Sequence, residues 1–215
     1  MEIGRSRQSK HMGKTILPSV YWGNIEYWAR LLQAGEQCVI DVCEHYIKRS
    51  MRNRTDIMTA NGVMSLSVHL NRANRPRTPM QSVSIDYSKR WQHQHWVAIL
   101  SAYRSSPYFD LYGPIIEQFY TKEYHSLVEY NMEILSTILR LLNVEAQFSI
   151  SDSYVTAEEG DVDFRPKNFE GSAVVPEYFQ LFSDRMPFVP NLSILDLLMS
   201  EGPSTKDFLK RVVLK

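Results

Sequence analysis

Glycine is scarce in this chain, with nine scattered through 215 residues. That excludes the glycine-rich loop whose bare backbone cradles nucleotide phosphates. Cysteine is scarcer: Cys38 and Cys43 are the two thiols. Five residues apart on one expected strand, they point to opposite faces and do not suit a mutual disulfide. Two unpaired thiols fit a reducing compartment, and a cytoplasmic location is expected. Long apolar runs are missing too. FQLF at 179–182 and ILDLLM at 194–199 fall far short of the roughly 20 residues that cross a bilayer. The opening MEIGRSRQSKHMGK is polar and basic, and no apolar stretch follows it to make a secretion signal. Residues 1–14 are expected to be a flexible tail. No CxxC or HxxxH pair occurs among the six histidines and two cysteines, so no metal site is indicated. Which cofactor, if any, the protein uses is unknown from these residues. Net charge is also absent, with 24 basic against 24 acidic side chains, which removes the overall field typical of a nucleic-acid binder.

What is present is the composition of a folded globular protein, 44% hydrophobic and 22% charged. KTILPSV at 14–20 reads as a short buried strand broken at Pro18. Asn24 is a suitable N-cap for a helix over 25–33, with Gly35 near its stop. CVIDV at 38–42 is a second buried strand. Strand, helix and strand within about thirty residues make a βαβ unit and a parallel pair. Apolar runs at 57–60 and 63–68 flank Asn61-Gly62, the signal for a hairpin with a type I′ turn. Residues 71–82 form a loop rich in Arg, Pro and Asn, and 83–85 a brief strand. Helices are expected over 91–104, 108–120 and 123–142, the last with a clear apolar stripe. Residues 146–150 return to the sheet, and 156–172 form a polar, acidic loop. Helices over 191–200 and from Ser204 onward close the chain, the latter through an S-x-x-D cap ending at Asp207. The fold class is therefore α/β: an N-terminal βαβ unit and mixed sheet with an NG hairpin, then a largely helical C-terminal half. A single domain is expected over 15–215, with a sheet-rich part at 15–90 and a mainly helical part at 91–215.

Zero net charge hides an uneven distribution. Residues 45–104 hold ten basic and two acidic side chains, and the rest of the chain carries the balancing acidic surplus. Ligands of open α/β sheets bind beyond the carboxyl ends of the strands, and the run Lys48-Arg49-Ser50-Met51-Arg52-Asn53-Arg54 follows such an end. Arg52 and Arg54 would supply forked donors to a phosphate or carboxylate, or else make a solvated basic turn. The partner expected on this reading is a small phosphate- or carboxylate-bearing substrate. No RNA-binding aromatic motif supports a nucleic acid, and oligomeric state is unknown.

His93 and His95 lie two apart on an expected helix, too far around it to chelate one ion. His95, one turn from Trp91, is either a half-buried packing residue or a general base at the cleft rim. Asp41 ends an apolar strand and, with Glu44, either caps that end or holds a magnesium ion on a substrate phosphate. Cys43 and His45 share one side of the strand as a nucleophilic pair would, without a third group to orient them. The candidate catalytic residues are thus His95 and Asp41.

The segment from Ile40 to Arg54, with Ala60-Asn61-Gly62 after it, resembles the WbqC-like protein family. So do the blocks Trp91–Trp96 with Tyr103–Phe109, Val175–Phe182, and Pro190–Leu198 with Glu201-Gly202-Pro203. The resemblance covers about residues 14–210. It implies a role in bacterial O-antigen and other surface-polysaccharide biosynthesis, through acyl or aminoacyl transfer to a nucleotide-linked amino sugar. The alternative is a non-enzymatic binding or scaffold module with a basic cleft. Lys48, Arg52, Asn53, Arg54, Asn61, Gly62, His95, Tyr103, Pro107 and Tyr108 fall on family-like positions. With Arg49 and Arg104, they supply the candidate substrate-binding set of Lys48, Arg49, Arg52, Asn53, Arg54, Asn61, Tyr103, Arg104 and Tyr108. Two departures stand out. The Gln-Pro-x-Tyr turn of many relatives is replaced by Leu17-Pro18-Ser19-Val20-Tyr21. The histidine that often follows Asp-Phe-Arg is missing after Asp163-Phe164-Arg165.

Overall fold

The computed structural model describes residues 13–71, 77–145, 147–166 and 173–215. The expected tail at 1–14 therefore lies mostly outside the described residues, as do Arg72, Arg75 and Ala146.

The βαβ unit forms as the sequence dictates. Strand β1 (Thr15–Pro18) pairs in parallel with β2 (Cys38–Asp41), with Thr15 opposite Cys38 and Pro18 opposite Asp41. Between them runs helix α1 (Ile25–Ala34), capped by the Asn24 side chain and stopped at Gly35, whose φ of 54° suits glycine. Two more strands complete a four-stranded sheet of order β5-β2-β1-β6. β5 (Phe148–Ile150) pairs with β2, as expected for the return near 146–150. β6 (Val162–Asp163) pairs with β1, and this strand lies inside what the sequence suggests is a plain acidic loop. Two residues with an exposed Val162 carry no hydrophobic run to announce them. Both added strands are parallel to their partners.

The hairpin is present as β3 (Arg54–Thr59) and β4 (Gly62–Ser67), antiparallel and in a sheet of its own. Its turn differs from the type I′ expectation. Thr59 pairs with Gly62, so Ala60 and Asn61 are the central residues, and only Gly62 has positive φ, at 103°. That is a turn closed by a glycine bulge. Residues 83–85 contribute isolated bridges rather than a strand.

Helices α2 (Trp91–Tyr103), α3 (Phe109–Glu117) and α4 (Leu127–Leu141) follow. α5 (Ile194–Glu201) and α6 (Thr205–Arg211) end the fold. The α5 cap is Ser193, whose side chain accepts from the Leu195 N–H. The expected Ser204 cap makes no side-chain bond; a 3-10 turn over Gly202–Ser204 leads into α6 instead. Buried apolar side chains from Leu17 to Val212 form one contiguous cluster. Trp22, Trp28 and Trp91 are among its largest members. No helix among the described residues is long and apolar enough to cross a membrane.

Candidate functional site

The order β5-β2-β1-β6 means that the chain moves outward from β1 to β2 to β5, then crosses back to the other side of β1. The crossover reverses between β1 and β6, and ligands of parallel sheets gather beyond the strand ends at such a reversal. A cavity of about 320 Å3 lies there. Its wall includes Pro18 at the end of β1, Phe164 and Pro166 just past β6, and Asn24 at the start of α1.

Its opposite wall is the basic turn. Arg49, Ser50, Met51, Arg52 and Arg54 face the cavity, joined by Asp56 and Ser65 from the hairpin. The turn is fixed from two sides. The Tyr21 N–H donates to the Met51 carbonyl at 2.9 Å, and the α4 side chain of Asn131 donates to the Arg52 carbonyl at 2.9 Å. Arg49 holds a left-handed backbone, φ 56°. Arg54 Nε donates to Ser67 Oγ at 3.0 Å. Neither Arg49 nor Arg54 has a carboxylate partner among the described residues, whereas Arg52 does.

Arg52 is buried, at 2% exposure, and grips Glu44 in two-pronged fashion. Its Nε reaches Oε1 at 2.8 Å and its Nη2 reaches Oε2. Nη2 also donates to the Arg165 carbonyl at 2.9 Å, and Nη1 to Ser50 Oγ at 3.2 Å. Four of the five guanidinium N–H donors are thereby used. The expectation that Arg52 clamps a ligand in its fork is corrected on this point: its fork is closed on Glu44. Burial pushes Glu44 up to about 7, against the downward pull of Arg52.

Asp41 is likewise committed. Its carboxylate accepts from the Cys43 N–H, Ser151 Oγ, the Val155 N–H and Arg165 Nη1. Four donors fill the roughly four acceptor sites of a carboxylate, which leaves none for magnesium or for a reacting proton. Arg165 joins Asp41 to Asp163, giving Nε to Oδ1 at 2.9 Å and Nη2 to Oδ2 at 2.7 Å. Burial would raise Asp163, yet the hydrogen bonds and charge of Arg165 outweigh it and hold this carboxyl below its usual range. Asp41, Asp163, Arg165, Arg52 and Glu44 thus form one ionic lattice across the carboxyl edge of the sheet.

His95 does not face the cavity. It is 6% exposed, enclosed by Tyr21, Trp91 and Tyr120. Trp22 Nε1, which can only donate, gives its proton to Tyr120 Oη at 2.9 Å. Tyr120 and Tyr21 share a 2.8 Å bond, and Tyr21 Oη meets His95 Nδ1 at 2.9 Å. A chain of donors running from Trp22 through Tyr120 and Tyr21 ends on an accepting Nδ1 when the ring is neutral. Burial drives the imidazole down to about 4, helped by His69 and resisted by the backbone of Ser67. The expected general base is a neutral core residue.

The remaining candidates scatter. Tyr103 is buried and donates to Asp196 Oδ1 at 2.9 Å. Tyr108 packs on Gly202, where an added Cβ would meet its ring at 2.5 Å. Asn53 is structural, accepting from Tyr46 Oη and donating to the Val68 carbonyl. Lys48, Asn61 and Arg104 are exposed and do not line the cavity. Of the expected set, the structure gathers Arg49, Arg52 and Arg54. The sequence reasoning missed Asn24, Asp56, Ser65, Phe164 and Pro166 as wall residues, and Arg165 as the hub of the lattice. The one available signal for the last was the Asp-Phe-Arg block.

One familiar anion site is closed. The first N–H groups of α1 are taken by the Leu192 carbonyl, Asn191 Oδ1 and Asn24 Oδ1, at 3.0, 2.8 and 2.9 Å. The helix N-terminus therefore has no free donors for a phosphate. No group of three or more metal-binding side chains occurs among the described residues.

Among proteins of known sequence, the chain is 26% identical to the uncharacterized protein Rv1507c of Mycobacterium tuberculosis (strain ATCC 25618 / H37Rv), over 77% of this chain and 84% of that protein. No solved structure matches. The family model of the WbqC-like proteins matches residues 19–166, a span holding α1, β2, the basic turn, the hairpin and Arg165, and the chain belongs to the WbqC-like protein family.

Proposed function

We propose that this protein binds a phosphate-bearing intermediate of bacterial surface-polysaccharide biosynthesis in the switch-point cavity and acts on it as an acyl or aminoacyl transferase, the intermediate being a nucleotide-linked amino sugar. The observation that carries the binding half is the position of Arg49 and Arg54. Both line the cavity without a carboxylate partner among the described residues, where parallel sheets take their ligands. Guanidinium groups so placed favour phosphate over any neutral ligand. The transferase half rests on the family setting.

A second reading, binding without catalysis, is favoured by one observation: among the described residues the cavity wall contains no histidine or cysteine, and His95 and Asp41 are both committed elsewhere. Incubation with acyl and aminoacyl donors, followed by mass analysis of the sugar nucleotide, separates the two.

The binding half is tested by calorimetry with uridine diphosphate at low salt. Arg54→Ala is expected to weaken binding about tenfold or more, the loss of a charge-assisted bond, with an unchanged melting temperature in the absence of ligand. Equal affinity in wild type and variant removes the cavity as the anion site.

A further inference from the structure

The Arg52–Glu44 pair is a partition. Arg52 lines the switch-point cavity on one side. Glu44 lines a second cavity, of about 270 Å3, on the other, and Pro166 borders both. Each is close to the lower limit of the roughly 300–1,000 Å3 that ligand sites occupy, and the two together fall well inside it. Their chemistry differs. The first has three arginines and one aspartate. The second has Glu44 and Asp163 with a single arginine, Arg165, and two ring side chains, His45 and Tyr154. Tyr154 is 55% exposed and lies over the Arg165 guanidinium at 4.7 Å. The His45 ring stands 6.3 Å from it, tilted by 42°. An exposed aromatic face beside carboxylates is suited to a polyhydroxylated ring: the face packs on its C–H groups, and the carboxylates accept from its polar substituents. Asp163 keeps acceptor capacity beyond its three bonds to Arg165.

We infer that the second cavity is a sugar subsite that takes the amine-bearing ring of a nucleotide-linked amino sugar, while the switch-point cavity holds its diphosphate. The inference rests on the anion-site reading above. A dipolar molecule, anionic at one end and ammonium-bearing at the other, matches the change of charge across the partition. Asp163 attracts the ammonium group, the remaining lone pairs of Glu44 accept from it, and the Tyr154 face orients the ring.

The test is calorimetry on the full chain with three probes: uridine diphosphate, its glucose conjugate and its glucosamine conjugate. The glucosamine conjugate is expected to bind about tenfold more tightly than the glucose conjugate, one charge-assisted bond apart. Tyr154→Ala, at an exposed position, is expected to remove most of the gain of both conjugates over the bare diphosphate and to leave diphosphate affinity unchanged. Asp163→Asn is expected to erase the preference for the amine. Equal binding of all three probes, still lost in Arg54→Ala, overturns the sugar subsite and leaves the anion site standing. A preference that survives both Tyr154→Ala and Asp163→Asn overturns it as well. Failure of all three probes to bind overturns the anion reading and this inference together.

Discussion

Two of the buried polar networks in this fold are built on opposite principles. At the carboxyl edge of the sheet, Asp41, Arg165, Asp163, Arg52 and Glu44 are formally charged, paired and next to cavities. Where the loop between β1 and α1 meets the helical half, Trp22, Tyr120, Tyr21 and His95 are linked by neutral hydrogen bonds and closed in by rings. A buried charge needs a partner, and a titratable group without one gives up its charge. His95, the residue type most readily taken for a base, has no counter-ion among the described residues, and burial lowers it to about 4. The sheet edge has counter-ions in supply: Arg165 holds Asp163 below its usual range, whereas burial still raises Glu44 to about 7 beside Arg52. The two cavities therefore sit beside paired charge, and the histidine expected to act as a base lies away from them.

The largest way to break this contrast is Arg165→Met, which strands Asp41 and Asp163 together. A loss of about 5 kcal/mol in denaturant unfolding is expected, at the upper end for breaking a buried ion pair. A loss below 1 kcal/mol would mean that the lattice is not structural. Arg52→Met alone is expected to cost about 3–5 kcal/mol because it leaves Glu44 buried and unpaired. Adding Glu44→Leu should recover most of that loss, since replacing both partners removes the uncompensated charge. If the double variant is no more stable than the single one, the pair is not what holds the turn.

The networks also differ in the sign of their pH dependence. Glu44 is raised from 4.5 to about 7 in the fold, so its contribution is full below pH 4.5 and is lost as pH rises through 7. His95 is lowered from 6.5 to about 4, so its contribution is full above pH 6.5 and is lost as pH falls through 4. Each is of the order of 3 kcal/mol across its window. Glu44→Gln should flatten the first slope and His95→Gln the second. Unchanged stability–pH curves would place both groups in water-like surroundings. The smallest effect belongs to Tyr21→Phe, about 1–2 kcal/mol for leaving Tyr120 and His95 each one partner short. A neutral result would mean that the chain of hydroxyls contributes packing alone.

The sequence made some of this legible and concealed the rest for physical reasons. Asn24, Gly35 and the apolar run into Asp41 are local signals, and the βαβ unit follows from them. The surplus of arginine after β2 was visible as composition. Its partners were not. Glu44 is eight residues from Arg52 and Asp41 is 124 from Arg165, and periodicity carries no information about such pairings. β6 escaped because a two-residue strand with an exposed valine has no pattern to display. The turn at Asn61-Gly62 was placed correctly as a hairpin. Its type is not legible there, because the same dipeptide serves a glycine bulge as well as a type I′ turn. His95 was placed correctly on its helix, one turn from Trp91, but the closing of Tyr21 and Tyr120 around it is a tertiary event.

Arg49 stands in a left-handed backbone conformation that a side chain with a Cβ adopts at a cost of about 1–2 kcal/mol. Glycine at that position would relax the backbone and delete the cation at one stroke. A screen for heat resistance would therefore select Arg49→Gly, and on the anion-site proposal a screen for ligand retention would reject it. Selection for robustness and selection for use pull in opposite directions on this residue, as they do wherever a fold keeps local strain in order to aim a charge.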